Sequence, residues 1–251
     1  MPIVSKGKLF SDYVVNPNDR LDVLGSANNT TVMSRAAMHI SNGGVADNTK
    51  VTSGGVAHVS NGGVANNTKI NRDGAIHISS GGVANGGMIS GSMYISNGGV
   101  ANNMSSYYGD IFISSGGVAS NTFNSNGVSM YISHGGLAED TVFNGGGSMF
   151  VLSGGSARGV TMSKYGNVEV FSGGRVTDVS FAAVAVCLLP MADLQSRSLF
   201  KTEGTSLSKM VPVVLRSPFR RVGGSVNSAL IQIPPSTKLF RALRHCLPML
   251  F

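Results

Sequence analysis

Along the first two thirds of the chain, apolar residues come in doublets with one residue between them. Met38-His39-Ile40, Ala57-His58-Val59, Ile76-His77-Ile78 and Met93-Tyr94-Ile95 follow this rule. So do Ile111-Phe112-Ile113, Met130-Tyr131-Ile132, Met149-Phe150-Val151 and Val168-Glu169-Val170. The outer members are apolar in every copy and the middle one varies. Period two marks a strand with one buried face, so each triplet predicts a short strand with its middle residue pointing out. A glycine pair follows each triplet, at 43–44, 62–63, 81–82, 98–99, 116–117, 135–136, 154–155 and 173–174. The near-constant step between pairs marks a repeat architecture, and a degenerate earlier copy runs from Asp22 to Val32.

Other columns repeat at the same pitch. Val45-Ala46, Val64-Ala65, Val83-Ala84, Val100-Ala101, Val118-Ala119 and Leu137-Ala138 follow the glycines. Then comes Asn48-Thr49, Asn67-Thr68, Asn121-Thr122 or Asp140-Thr141, a second β-prone run such as Thr68-Lys69-Ile70, and another glycine-bearing turn. Two short strands and two turns per repeat are too little to bury a core alone. Stacked at the strand spacing of about 4.8 Å, they place Ile on Ile and Val on Val. The prediction is an all-β solenoid, a parallel β-helix of about nine 19-residue coils over residues 22–180, roughly 40 Å long. Glycine supplies the positive φ that tight turns demand, and asparagine tolerates it and can stack into amide ladders. Residues 1–21 are expected to form an N-terminal cap. A flexible glycine-rich linker is the competing reading, and the strict apolar columns argue against it.

Composition sharpens this picture. The chain has 251 residues, 34 glycines and 8 prolines, with 42% hydrophobic and 12% charged residues. That balance is opposite to that of disordered chains. The net charge of +7 suggests nucleic acid until it is located. Residues 1–180 carry ten Lys/Arg and ten Asp/Glu, so the excess lies wholly in the segment 181–251. With no basic stripe on the repeats, nucleic-acid binding is not supported. Both cysteines, Cys187 and Cys246, lie beyond the repeats, so no disulfide framework holds them.

The stretches ISNGGVANNT, ISSGGVASNT and MFVLSGGSARGVTM resemble the repeats of AIDA-type autotransporter adhesins, the passenger domains of Gram-negative surface proteins that include the self-associating antigen group. The resemblance covers about residues 22–180. It implies a right-handed helix, display at the cell surface and a role in adherence, autoaggregation or biofilm formation. Implied partners are a host or bacterial surface glycan or protein, or a second rod. Such proteins also carry a long signal sequence and a C-terminal membrane barrel. Neither is visible here: the start lacks a basic segment followed by an apolar run, and the segment 181–251 is too short for an eight-stranded barrel. This chain alone is therefore expected to stay in the cytoplasm. The most apolar run, Phe181 to Pro190, has ten residues, against about 20 for a membrane-spanning helix.

After Ser180 the columns stop in the sequence, and residues 181–251 are read as an irregular basic tail. Ala182-Ala183-Val184-Ala185-Val186 is what a glycine-serine repeat yields when translated one frame over, so an out-of-frame tail is one expectation. Lys238 to Leu247 reads alternatively as a short basic amphipathic helix, limited by Pro234-Pro235 and Pro248.

Candidate chemistry is sparse. His39, His58 and His77 share one column, and imidazoles at such spacing can hold a metal. The column continues as Tyr94, Phe112, Tyr131 and Phe150, so an exposed ring stack is the simpler reading. These seven residues form the one candidate interaction ladder, suited to sugars or another rod. Carboxylates Asp47, Asp73, Asp110, Glu139-Asp140 and Glu169 are spread over different columns, whereas acid–base work on polysaccharide needs them clustered. No calcium-roll or nucleotide-loop pattern occurs, and no cofactor is expected. The expected function is a non-enzymatic adhesin passenger. A polysaccharide-acting enzyme on the same scaffold, or a non-functional remnant of a longer adhesin gene, are the alternatives.

Overall fold

The computed structural model describes residues 2–163, 166–181, 186–190 and 213–216, with side chains described as far as Ser180. The described residues hold strands and turns and no helix. Two parallel sheets run the length of the solenoid. Sheet A has twelve strands stacked in chain order, one per coil. Nine of them span Arg20 to Val170: Arg20–Val23, Ala37–Ile40, Val56–Val59, Ala75–Ile78, Ser92–Ile95, Ile111–Ile113, Ser129–Ile132, Ser148–Val151 and Asn167–Val170. Sheet B has fifteen strands and forms two further sides of each coil. The two sides are separate strands in one coil, as Val45–Asp47 and Lys50–Val51, and merge into one bent strand in others, as Val64–Ile70 and Val83–Ile89.

Register is set by the apolar pattern. His58 pairs with His39 and His77, and Ala65 pairs with Ala46 and Ala84, so like stacks on like along the axis. The inward members of the triplets, from Met38 and Ile40 to Val168 and Val170, are buried. Ala46, Ala65, Ala84, Ala101, Ala119, Ala138 and Ala157 bury against them from one arm of sheet B. Val51, Ile70, Ile89, Phe143 and Met162 do so from the other. Each fully buried aliphatic side chain contributes about 1.5–3 kcal/mol, so no coil is stable until its neighbours cover both open sides.

The two glycines of each pair do different work. In the turn Ser60-Asn61-Gly62-Gly63, Asn61 and Gly62 have φ of 48° and 73°, and Gly63 N–H donates to Ser60 O at 2.8 Å. Two positive-φ residues inside an i to i+3 bond make a type I′ turn, the turn that suits asparagine and glycine. Gly63 itself lies outside the positive-φ region. A Cβ there would sit 2.2 Å from Ile40 O in the coil beneath. Turn geometry, the reason expected from sequence, thus explains the first glycine, and close stacking explains the second.

Coil length varies at the two corners that flank sheet A. Ile70 to Ala75 takes five steps along the chain, and the matching Ile89 to Ser92 takes three. On the other side, Ile40 to Val45 takes five and the matching Val23 to Ser26 takes three. The strands keep their register across both differences, with Ala75 on Ser92, His77 on Tyr94 and Ser26 on Val45.

The ends extend the same scheme. Residues 1–21, expected as a cap, contribute strands Ile3–Val4, Leu9–Ser11 and Val14–Val15, each paired in parallel with its counterpart one coil on. Beyond Ser180, Val186–Pro190 pairs with Asn167–Val170 one coil back, Cys187 beside Val168. Val213–Arg216 pairs with it in turn. The sequence columns expected to end at Ser180 therefore have a further partner strand. The basic segments at 216–221 and 238–247, Cys246 and the prolines at 234–235 and 248 lie outside the described residues, apart from the backbone of Arg216.

Candidate interaction surface

Sheet A turns its inward doublets to the core, which leaves the middle residue of each triplet on the outer face. In-register pairing then brings the seven candidate residues into one line. Ring centroids of His39 and His58 are 4.5 Å apart, of His58 and His77 5.0 Å, and of His77 and Tyr94 4.6 Å. Tyr94, Phe112, Tyr131 and Phe150 follow at 5.0, 5.1 and 4.9 Å. Interplanar angles fall from 26° at the histidine end to 7–11° at the phenyl end. The ladder is thus continuous over six steps, roughly 30 Å at this spacing.

Apart from Asp110, its immediate surroundings between the His39 and Phe150 rungs are uncharged. The sheet A strands from Ala37 to Val151 contain no Lys, Arg, Asp or Glu. Small side chains flank the rings: Ala37, Val56, Ala75 and Ser92 on one side, Ser41, Ser60, Ser79 and Ser96 on the other. Asp110, at the start of the Phe112 rung, accepts a bond from Ser129 N–H at 3.3 Å. Charge returns at the ends. Asp22 occupies the rung before His39 and pairs with Arg20 at 2.6 Å, and Glu169 occupies the rung after Phe150.

All three imidazoles are held toward their neutral form. Burial is the main cause at His39, with Arg20 adding to it and Asp22 opposing. His77 is lowered by burial. His58 is lowered furthest, to about 4, by burial and then by His39 and His77 on either side and Arg20 beyond. Three stacked imidazoles cannot all charge without repelling one another.

Elsewhere several polar side chains pair with one another across coils. On sheet B, Asn66 donates to Asp47 at 2.8 Å, Asn85 to Asn66 at 3.1 Å and Asn102 to Asn85 at 3.0 Å. This amide ladder uses the residue before the Asn-Thr column. Asn48 and Asn67 of that column instead take φ of 54° and 53° at the bend between the arms. Glu139 is engaged by Arg158 at 2.6 Å, and Asp140 sits at a bend with φ of 49°. Among the described residues no three His, Cys, Asp or Glu side chains gather closely enough to hold a metal ion. Ser106 and Asn124 occupy the inward column between Ile89 and Phe143. Asn124 is fully buried there with neither side-chain polar atom bonded to protein.

Comparison with known proteins bears on this surface. The family described as "Adhesin of bacterial autotransporter system, probable stalk" matches residues 106–177. The crystal structure of a TibC-catalysed, hyper-glycosylated TibA fragment, residues 55–350, is similar at 30% identity with a TM-score of 0.66. The match covers 75% of this chain and 77% of that one. No curated protein sequence matches the chain.

Proposed function

Because this chain belongs to the AIDA-type autotransporter adhesins, we propose that it is a passenger stalk displayed at the cell surface. Its outer sheet A face makes the contacts for adherence, autoaggregation or biofilm formation, and it catalyses no reaction. The observation that carries this reading is the ring ladder: seven stacked rings, outward-facing, on strands that carry no Lys, Arg, Asp or Glu. Exposed apolar strips of that extent mark interaction sites. The scattered carboxylates support no acid–base pair, since Glu139 is tied to Arg158 and Asp140 sits at a bend.

The test is to coat beads with the purified chain and score bead clustering and binding to bacterial and host cell surfaces. A Tyr94→Lys/Tyr131→Lys variant places two charges on the ladder edge without touching the core. Binding and clustering are expected to fall about tenfold with the far-UV circular dichroism spectrum unchanged. Unaltered binding by a folded variant would remove sheet A from the contact.

A further inference from the structure

The ladder offers its partner edges, not faces. His58, His77, Tyr94, Phe112 and Tyr131 each lie between two rings, so both faces are already covered. A sugar that packs on an aromatic ring needs a free face, and five of the seven rungs have none. What points outward is a row of rims: imidazole edges, the Tyr94 and Tyr131 hydroxyls, and the phenyl edges of Phe112 and Phe150. The row repeats every 4.5–5.1 Å, the spacing of parallel strands. A partner that meets every rung must share that repeat, and a second copy of this chain does. The small flanking residues allow close approach, as between packed cross-β sheets. No Lys, Arg, Asp or Glu on the strands from Ala37 to Val151 opposes it.

Resting on the reading of sheet A as the contact face, we infer that two copies pair side by side through this ladder and that acid separates them. The device is the placement of all three ionisable imidazoles in consecutive rungs of a strip whose one flanking carboxylate, Asp110, lies two coils beyond His77. At neutral pH the imidazole rungs are uncharged and can be desolvated at little electrostatic cost. Protonation puts as many as three positive charges into the contact, and burying an unpaired charge is far costlier than burying an edge. The groups facing the imidazoles are few. Arg20 and Asp22, paired with each other, sit on the preceding strand. Strands Val56–Val59 and Ala75–Ile78 add only the histidines themselves, and Tyr94 follows on the next. Arg20 offers no compensation for an added positive charge. The direction is consistent with the lowered affinity of all three imidazoles for protons. The imidazoles therefore charge below the ordinary histidine range.

Sedimentation velocity of the full chain tests this at pH 7.5 and pH 4, with circular dichroism at both. The comparison is a His39→Tyr/His58→Tyr/His77→Tyr variant. Tyrosine already occupies the same column at 94 and 131, so the fold accommodates it. The wild type should be paired at pH 7.5 and at least tenfold more weakly paired at pH 4, with its spectrum retained. The variant should pair equally at both. If the wild type stays paired in acid, or the variant dissociates like it, acid release is overturned while the contact face stands. A wild type monomeric at pH 7.5 overturns the partner assigned here, and the bead assay then judges the face independently. Loss of the wild-type spectrum at pH 4 also overturns it, because charge then acts on the coils themselves.

Discussion

Substituting alanine at the two neighbours Gly62 and Gly63 separates the two reasons for a glycine pair. At Gly62, φ is 73° and an added Cβ meets no atom within 4 Å. The cost is then the left-handed backbone penalty alone, about 1–2 kcal/mol. At Gly63, the added Cβ falls 2.2 Å from Ile40 O, 2.6 Å from Ile40 C and 3.0 Å from Ser41 N. All three are backbone atoms and cannot rotate away. Ile40 O is also the acceptor for Ser60 N–H at 3.0 Å. Relief requires the two coils to part at this corner. That strains the Ser60 bond and its neighbour, Val64 N–H to Gly44 O at 2.9 Å, at about 1 kcal/mol each. Overpacking itself adds about 1–3 kcal/mol. Together these put the cost of Gly63→Ala at about 3–5 kcal/mol, above that of Gly62→Ala. Stability in a stacked array is local, so the assay is native-state hydrogen exchange of the amides from Ile40 to Val64, with the urea midpoint as a global check. Equal costs, or a larger one at Gly62, would refute the assignment of the second glycine to close stacking.

Three further outcomes follow from the same structure. Asn124→Leu removes a fully buried amide that no protein atom satisfies, so it should raise stability by about 1–3 kcal/mol, read as a higher urea midpoint. Asn66→Ala cuts the amide ladder on both sides, at Asp47 and Asn85, and should lower stability by about 1 kcal/mol with the far-UV spectrum preserved. In an NMR titration His58 should take up its proton last, near pH 4, below its ordinary 6.5. The folded form then binds fewer protons than the unfolded form between those values. Stability is fully present above about pH 6.5 and declines as pH falls toward 4. His58→Tyr should flatten that decline.

Much of this molecule is legible in its sequence. The triplets specified sheet A and its inward doublets, because period two leaves no choice of face once one face must be buried. In-register stacking then put His39 through Phe150 on one line, since the spacing of the copies matches the coil. Three things were not legible. The second glycine answers to a carbonyl in the coil below, and no local pattern encodes a neighbour a whole coil away, as Ile40 is from Gly63. Asn124 reads in the sequence as one more polar residue near a turn. Only the pairing of Ser106 with Asn124 and of Asn124 with Phe143 reveals that it occupies a core column. The strand Val186–Pro190 is not legible because its coil lacks the glycine pair that marks the eight regular copies, although Cys187 falls one repeat after Val168.

The corners on either side of sheet A absorb the changes in coil length, and the strands between them do not register the difference. The rod therefore behaves as a modular ruler. Whole coils can be duplicated or lost by recombination between near-identical repeats, and each event changes the reach by one strand spacing, about 4.8 Å. Residues gained or lost within a coil are taken up at a corner and leave the contact strip in line. A lineage can thus tune how far the surface projects, and how many rungs it presents, without redesigning a single rung.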